Sequence, residues 1–400
     1  MFPIVKRFHA AERALRTAAL HDLLDAVRVV LIEQYGAEDV ELLMADYSLT
    51  VLQPVSAPTL QPVSVHNSPA GRAFGSQKPY CEDGRDGRAR LHLPVTVRGD
   101  RLGVLSVILP GSEAVRRWEP ELADIAEVLG HELIVAERDT DVYLQVRRKD
   151  RLTLAAEMQW QLLPGRSCSR PEYELGAQLE PAYAIFGDNF DWSATADHLM
   201  LYVTNGMGEG IEAALLTTLA INALRNARRA GISIADQAAL ADQAVYAHYQ
   251  GRCYLSVLMF DFDLATGRAG VVDAGSPQML RLRNGAVERV TFDAQLPLGM
   301  FEETDYVAQD FQVEPGDRLV FVSDGVHGVA SPKGEAYGDE AMARAIQATR
   351  LVPAAEVPRA ILRELTGHRG TPVPDDDALV VCLDWRGREM GGGPVPAERM

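Results

Sequence analysis

One stretch constrains the fold more than any other: residues 199–210, LMLYVTNGMGEG. The apolar and β-branched run at 199–203 predicts a buried strand. It breaks at Asn205-Gly206, and Gly206, Gly208 and Gly210 follow at alternate positions. The next segment, IEAALLTTLAINALRNARRAG, has helical periodicity and stops at Gly231. A strand that opens through glycines into a helix brings backbone groups close to a ligand, and a helix N-terminus favours anions. Taken alone, the pattern fits an ordinary glycine-rich βα turn equally well. Acidic segments elsewhere decide between the two.

Each of those segments sits where a predicted strand begins or ends. Phe186-Gly187-Asp188-Asn189-Phe190-Asp191 follows an apolar approach, Ser323-Asp324-Gly325 follows the strand LVFV, and Asp375-Asp376-Asp377 precedes ALVVCL. A single Asp in such a place is more often a turn residue or a cap. Three such segments can converge, and hard divalent cations such as Mg²⁺ and Mn²⁺ take carboxylate oxygens. Two ions about 3.5–4 Å apart would clamp a phosphoryl group.

Composition is compatible with this. The net charge of −17, from 39 basic and 56 acidic residues, argues against nucleic-acid binding. Four hundred residues, 47% of them apolar and 24% charged, fit two or three globular domains. No run of 18 apolar residues occurs, so no membrane span is expected, and the N-terminus has no signal-peptide core. A cytoplasmic location is the expectation. Cys81, Cys168, Cys253 and Cys382 are far apart and form no CxxC pair, which leaves neither a zinc site nor a disulfide framework.

Along the chain, 10–35 predicts a helix ended by Gly36, followed by strands at 40–44 and 49–52. The Pro- and Ser-rich 54–65 predicts a loop or an irregular edge strand. SPAGRAFGSQKPY predicts a turn and a short helix, and LHLPVTV with RLGVLSVIL predicts a hairpin. Residues 119–163 read as one long helical stretch. Leu122, Ile125, Leu129, Leu133, Ala136 and Tyr143 recur near heptad spacing, and Leu154, Met158 and Leu162 resume it after Arg147-Arg148-Lys149-Asp150-Arg151. That stripe can pack on its own domain or pair two chains. The second reading predicts a parallel homodimer with Leu129 and Leu133 facing their counterparts. Beyond 165, strands at 174–179, 199–203, 254–261, 270–273, 279–282, 318–322 and 378–383 alternate with helices at 211–229, 235–249, 339–350 and 354–366, an α+β pattern. The predicted divisions are 1–118, a linker at 119–164, a second domain at 165–386 and a disordered tail at 387–400.

Two resemblances sharpen these expectations. Ala70-Gly71-Arg72-Ala73-Phe74, Leu93-Pro94-Val95 and Leu102-Gly103-Val104-Leu105 resemble a GAF-type α/β sensor domain. The resemblance implies dimerisation or a small-molecule ligand. His66 and His92 read as ordinary surface or sheet histidines.

Residues 155–385 resemble the bacterial metal-dependent protein phosphatases of the protein phosphatase 2C (PPM) superfamily, SpoIIE/RsbU type. The motifs are Ala156-Glu157-Met158-Gln159 with Leu162-Leu163-Pro164; Phe186-Gly187-Asp188-Asn189-Phe190-Asp191; Asn205-Gly206-Met207-Gly208-Glu209-Gly210 with Ala213-Ala214-Leu215; Ala274-Gly275-Ser276-Pro277; Leu296-Pro297-Leu298-Gly299; Pro315-Gly316-Asp317; Ser323-Asp324-Gly325; and Asp375-Asp376-Asp377-Ala378. The resemblance implies an αββα sandwich holding two Mn²⁺ or Mg²⁺ ions. It implies hydrolysis of phosphoserine or phosphothreonine on a phosphorylated anti-sigma-factor antagonist, with no covalent enzyme intermediate. Carried over, Asp188, Asp324 and Asp375 are metal ligands with the Gly206 carbonyl, and Asp376 is a supporting carboxylate. Asn205 stands where the family has the Asp that bridges both metals. Ser276 replaces a His, Phe186 a Gly and Ala378 a Thr, and Gly328 stands where an acidic residue is common. The alternative reading is a degenerate pseudophosphatase that binds a phosphoprotein or sigma-factor regulator.

Overall fold

The computed structural model describes residues 2–47, 49–56, 61–84, 87–148, 153–180, 186–275, 277–370 and 376–388. The chain divides into two units, Met1–Arg151 and Leu152–Met400. Among the described residues no helix is long and apolar enough to cross a membrane.

The first unit runs α1 (Phe2–Thr17), α2 (Leu23–Tyr35), β1 (Asp39–Ala45), β2 (Val51–Pro54), β3 (Val63–Ser64), α3 (Pro69–Ser76), β4 (Tyr80–Asp83), β5 (Ala89–Val97), β6 (Asp100–Leu109), α4 (Ser112–Ala136) and α5 (Val142–Val146). Its six strands form one antiparallel sheet in the order β3-β2-β1-β6-β5-β4. Side chains alternate across it. Val40, Leu42, Met44, Leu91, Leu93, Leu105 and Val107 pack on α1, α2 and α4. Leu43, Ala45, Leu52 and Val104 meet Ala70 and Phe74 of α3 on the other face. α3 starts where Ser68 Oγ accepts the Gly71 N–H at 2.9 Å, with Pro69 at the first helical position. The expected helix over 10–35 is two helices, because Ala19 is extended and a 3₁₀ turn separates them.

The stretch 119–163 departs from expectation. α4 begins at Ser112, inside the predicted first domain, and ends at Ala136. Leu122, Ile125, Leu129, Leu133, Ala136 and Tyr143 are all buried in their own unit's core. The predicted pairing of two chains through Leu129 and Leu133 is therefore corrected: both are 0% exposed in the single chain. An apolar stripe records that a helix has a buried face and does not record which partner buries it. The helical linker is corrected with it, since 119–146 belongs to the first unit and 154–162 to the second.

The second unit runs α6 (Leu154–Leu162), β7 (Ser167–Ser169), β8 (Tyr173–Glu180), β9 (Asn189–Ala194), β10 (His198–Gly206), α7 (Gly210–Arg229), α8 (Ile234–Tyr249), β11 (Leu255–Asp263), β12 (Arg268–Ala274), β13 (Gln278–Arg283), β14 (Ala286–Val290), β15 (Gln309–Gln312), β16 (Arg318–Val322), α9 (Asp324–His327), α10 (Gly338–Ala348), α11 (Val357–Arg369) and β17 (Ala378–Trp385). Two antiparallel sheets result, β15-β12-β11-β10-β9 and β14-β13-β16-β17-β8-β7. Leu199, Leu201 and Val203 of β10 share one core with Leu379, Val381 and Leu383 of β17, and with Phe260 and Phe321. The opposite faces are covered too. Tyr202, Val257 and Met259 pack on α7 and α8, and Val320, Val322, Val380 and Cys382 pack on α10 and α11. The expected αββα layering is what this produces: both sheets are apolar on both faces, so each needs a partner sheet and a helical cover. The predicted tail falls mostly at 389–400, outside the described residues.

Candidate active site

Strand ends from both sheets supply the site. β10 ends at Asn205-Gly206, and β9 begins just after Gly187-Asp188. From the other sheet, β16 runs into Ser323-Asp324 at the start of α9, and Asp376-Asp377 lead into β17.

Close backbone packing fixes these ends. Thr217 of α7 donates its hydroxyl to the Gly187 carbonyl at 2.8 Å, and the Gly206 N–H approaches the same oxygen at 3.3 Å. A Cβ on Gly206 would stand 2.7 Å from Thr217 Oγ1, so no larger residue fits without movement. Gly325 is more tightly placed: its Cβ would fall 1.9 Å from the Asp377 carbonyl oxygen. The glycines are thus requirements of close approach.

Asp377 is fully buried and organises the floor. Its Oδ2 accepts from the Phe186 N–H at 3.0 Å, the Gly187 N–H at 3.1 Å and Gln159 Nε2 at 2.8 Å. Asp188 beside it is 1% exposed, and its Oδ2 is buried with no protein partner. Burial, reinforced by Asp377, Asp324 and Asp376 and opposed by a hydrogen bond from Ser323, pushes Asp188 well above the usual carboxylate range. Burial and then Asp324 push Asp376 up to about 6. No basic side chain is among the groups that shift either acid.

Asn205 and Asp324 join the two sheets directly: Asn205 Nδ2 donates to Asp324 Oδ1 at 2.6 Å. The Gly325 N–H donates to the same oxygen at 3.0 Å. The amide therefore places a proton donor against the carboxylate, where an Asp would place a second negative charge.

Of the expected site residues, Asp188, Asn205, Gly206, Asp324 and Asp376 lie at these strand ends. Asp375 and Ser276 lie outside the described residues. Among the described residues no three His, Cys, Asp or Glu side chains form a ready metal shell. The donor chemistry nonetheless fits a hard cation. A buried carboxylate oxygen has no partner, and acidic neighbours crowd it without a compensating base. Asp191 has a structural role: it pairs with Arg225 at 2.7 Å and Arg228 at 2.8 Å of α7. Sequence reasoning gave Gln159 no role of its own, although the motif that contains it was visible.

The family model described as stage II sporulation protein E (SpoIIE) matches residues 195–386. The whole of that SpoIIE match lies in the C-terminal unit. Asp188 and Gln159 lie upstream of the SpoIIE match. Protein IcfG of Synechocystis is 19% identical over 289 residues, 64% of this chain and 45% of that protein. Phosphoserine phosphatase RsbU of Bacillus subtilis is 22% identical over 203 residues, 50% of this chain and 61% of that protein. The chain thus spans about half the length of these curated relatives. Among solved structures, the SiaA PP2C domain of Pseudomonas aeruginosa is 20% identical, with a TM-score of 0.47, and covers 54% of this chain and 86% of that one.

Proposed function

We propose that the C-terminal unit is a metal-dependent serine/threonine protein phosphatase acting on a phosphorylated regulator of the anti-sigma-factor-antagonist type, controlled by the GAF-like N-terminal unit. The observation that carries this reading is the gathering of Asp188, Asp324 and Asp376 from the ends of both sheets, with one buried carboxylate oxygen left unpartnered. Asp188, Asp324 and Asp375 would hold Mn²⁺ or Mg²⁺, with the Gly206 carbonyl and Asp376 alongside. When bound, the ions supply Lewis acidity toward a phosphoryl oxygen and toward water. The chain's own residues set the rest. Asn205 orients Asp324, Asp377 holds the 186–187 backbone, and Ser323 hydrogen-bonds Asp188.

A second reading has its own support. Because Asn205 already satisfies Asp324 with a proton donor, the site has less need of a cation. A pseudophosphatase that binds a phosphoprotein would have this feature. Calorimetric titration with Mn²⁺, with turnover of a phosphoserine peptide and p-nitrophenyl phosphate on the same sample, separates the two. Saturable binding with metal-dependent turnover supports the phosphatase. Peptide binding with neither supports the binding module.

A further inference from the structure

We propose that Gln159 is a positioning residue of this site: its amide makes the location of α6 determine where Asp188 stands. The consequence for cations rests on the reading of Asp188 as a ligand, and the geometry does not. Gln159 is 2% exposed, and its Nε2 donates twice, to the Asp188 main-chain carbonyl and to Asp377 Oδ2, each at 2.8 Å. Both partners can only accept, so the orientation of the amide is fixed by chemistry: the flipped rotamer would set Oε1 against two oxygens. Asp377 Oδ2 takes the Phe186 and Gly187 N–H groups as well. The turn that presents Asp188 is consequently held at residues 186, 187 and 188 by one carboxylate and one amide.

No close substitute supplies this pair of bonds. Glu in place of Gln159 would bring a third acceptor to two acceptors, and Asn is one methylene too short to reach both. α6 is itself anchored, since Arg225 of α7 donates to the Leu162 carbonyl at 2.7 Å while pairing with Asp191. Sliding α6 by one residue, about 1.5 Å, would carry both Gln159 bonds out of range. The amide of Gln159 is therefore the contact through which α6 fixes Asp188.

The test uses the full chain and the variants Gln159→Ala and Gln159→Glu, with Gln161→Ala as a control on the exposed side of the same helix. Hydrogen exchange by mass spectrometry reads the amides of 186–187, with β16 and β17 as internal reference, and calorimetry reads Mn²⁺ binding. Both Gln159 variants are expected to exchange at 186–187 at least tenfold faster, with β16 and β17 within twofold of the parent and Gln161→Ala unchanged. Mn²⁺ affinity is expected to fall at least tenfold. Exchange at 186–187 within twofold of the parent overturns the proposal. So does equal acceleration in β16 and β17, which would mean general loosening. Faster exchange with unchanged Mn²⁺ affinity overturns the positioning of a cation ligand. A parent that binds no Mn²⁺ overturns the phosphatase reading instead, and the exchange data still decide the role of Gln159.

Discussion

At position 205 one amide in place of one carboxylate changes what Asp324 needs. With Asn205, Asp324 has a donor at 2.6 Å and no cation is required to hold it. Asn205→Asp removes that donor and sets two like charges together. Metal-free, the variant is expected to lose about 1 kcal/mol of stability, less than is usual for a hydrogen bond to a charged group because the pair is solvent-exposed. With Mn²⁺ the sign reverses, because the added carboxylate has a cation to bind. Turnover should rise at least tenfold, a barrier change of roughly 1.4 kcal/mol. Melting curves in chelator and in Mn²⁺ check this, and variants that melt alike in both conditions sink it. Asn-Gly is a dipeptide prone to deamidation, and Asn205-Gly206 is one, so intact mass must accompany each assay. Asp324→Ala is a second case at this scale. It should abolish whatever Mn²⁺ binding calorimetry finds in the parent, and an unchanged isotherm would show the site misplaced. The acids were legible in the sequence because each lies beside a strand end that apolar patterning reveals. Gln159 was not, because its partners are 29 and 218 residues away and an amide leaves no charge pattern.

Elements with two buried faces were legible, and elements held by polar contacts were not. β8, β10, β11, β16 and β17 follow apolar runs and lie within a few residues of expectation. β9 was missed because Asn189-Phe190-Asp191-Trp192 has only one apolar stripe, and its polar side is buried by ion pairs. Removing that pairing tests the point. Asp191→Ala leaves Arg225 and Arg228 without their carboxylate and should cost about 3 kcal/mol, as for breaking a buried pair. Urea unfolding measures it, and a loss under about 1 kcal/mol would mean that water replaces the carboxylate. β14 and β15 escaped notice because as edge strands they bury no residue fully and have too few apolar residues to form a run. α4 poses the opposite problem, a clear stripe with an ambiguous partner. Leu129→Ala should destabilise the first unit by about 2–5 kcal/mol through a core cavity. Little change in the unfolding midpoint would place Leu129 outside that core.

At the scale of the whole chain, the boundary at 151–152 was the least legible feature, because the apolar spacing lost in the charged run at 147–151 resumes directly after it. Two units with separate cores should respond separately to pH, and His92 supplies the signal for the first. It lies on β5, 4% exposed, with Nδ1 2.8 Å from Ser106 Oγ and Nε2 3.8 Å from Glu82. Burial, and then Arg90, hold its pKa below the usual value of 6.5, while Glu82 opposes them. The folded unit therefore keeps the ring neutral at a pH where the unfolded chain already binds a proton. Stability is fully present above 6.5 and is lost as pH falls from there toward the folded-state value. Glu41, on the same sheet, has its pKa raised by burial and works in the opposite direction, gaining relative stability as pH falls toward 4.5. A variant comparison isolates the histidine. Between about pH 7.5 and 5.5, the melting temperature of the first unit should fall further in the parent than in His92→Gln, which has no proton to gain. Calorimetric scans of both proteins across that range decide the matter, and parallel pH profiles would show that His92 is protonated alike in the folded and unfolded states.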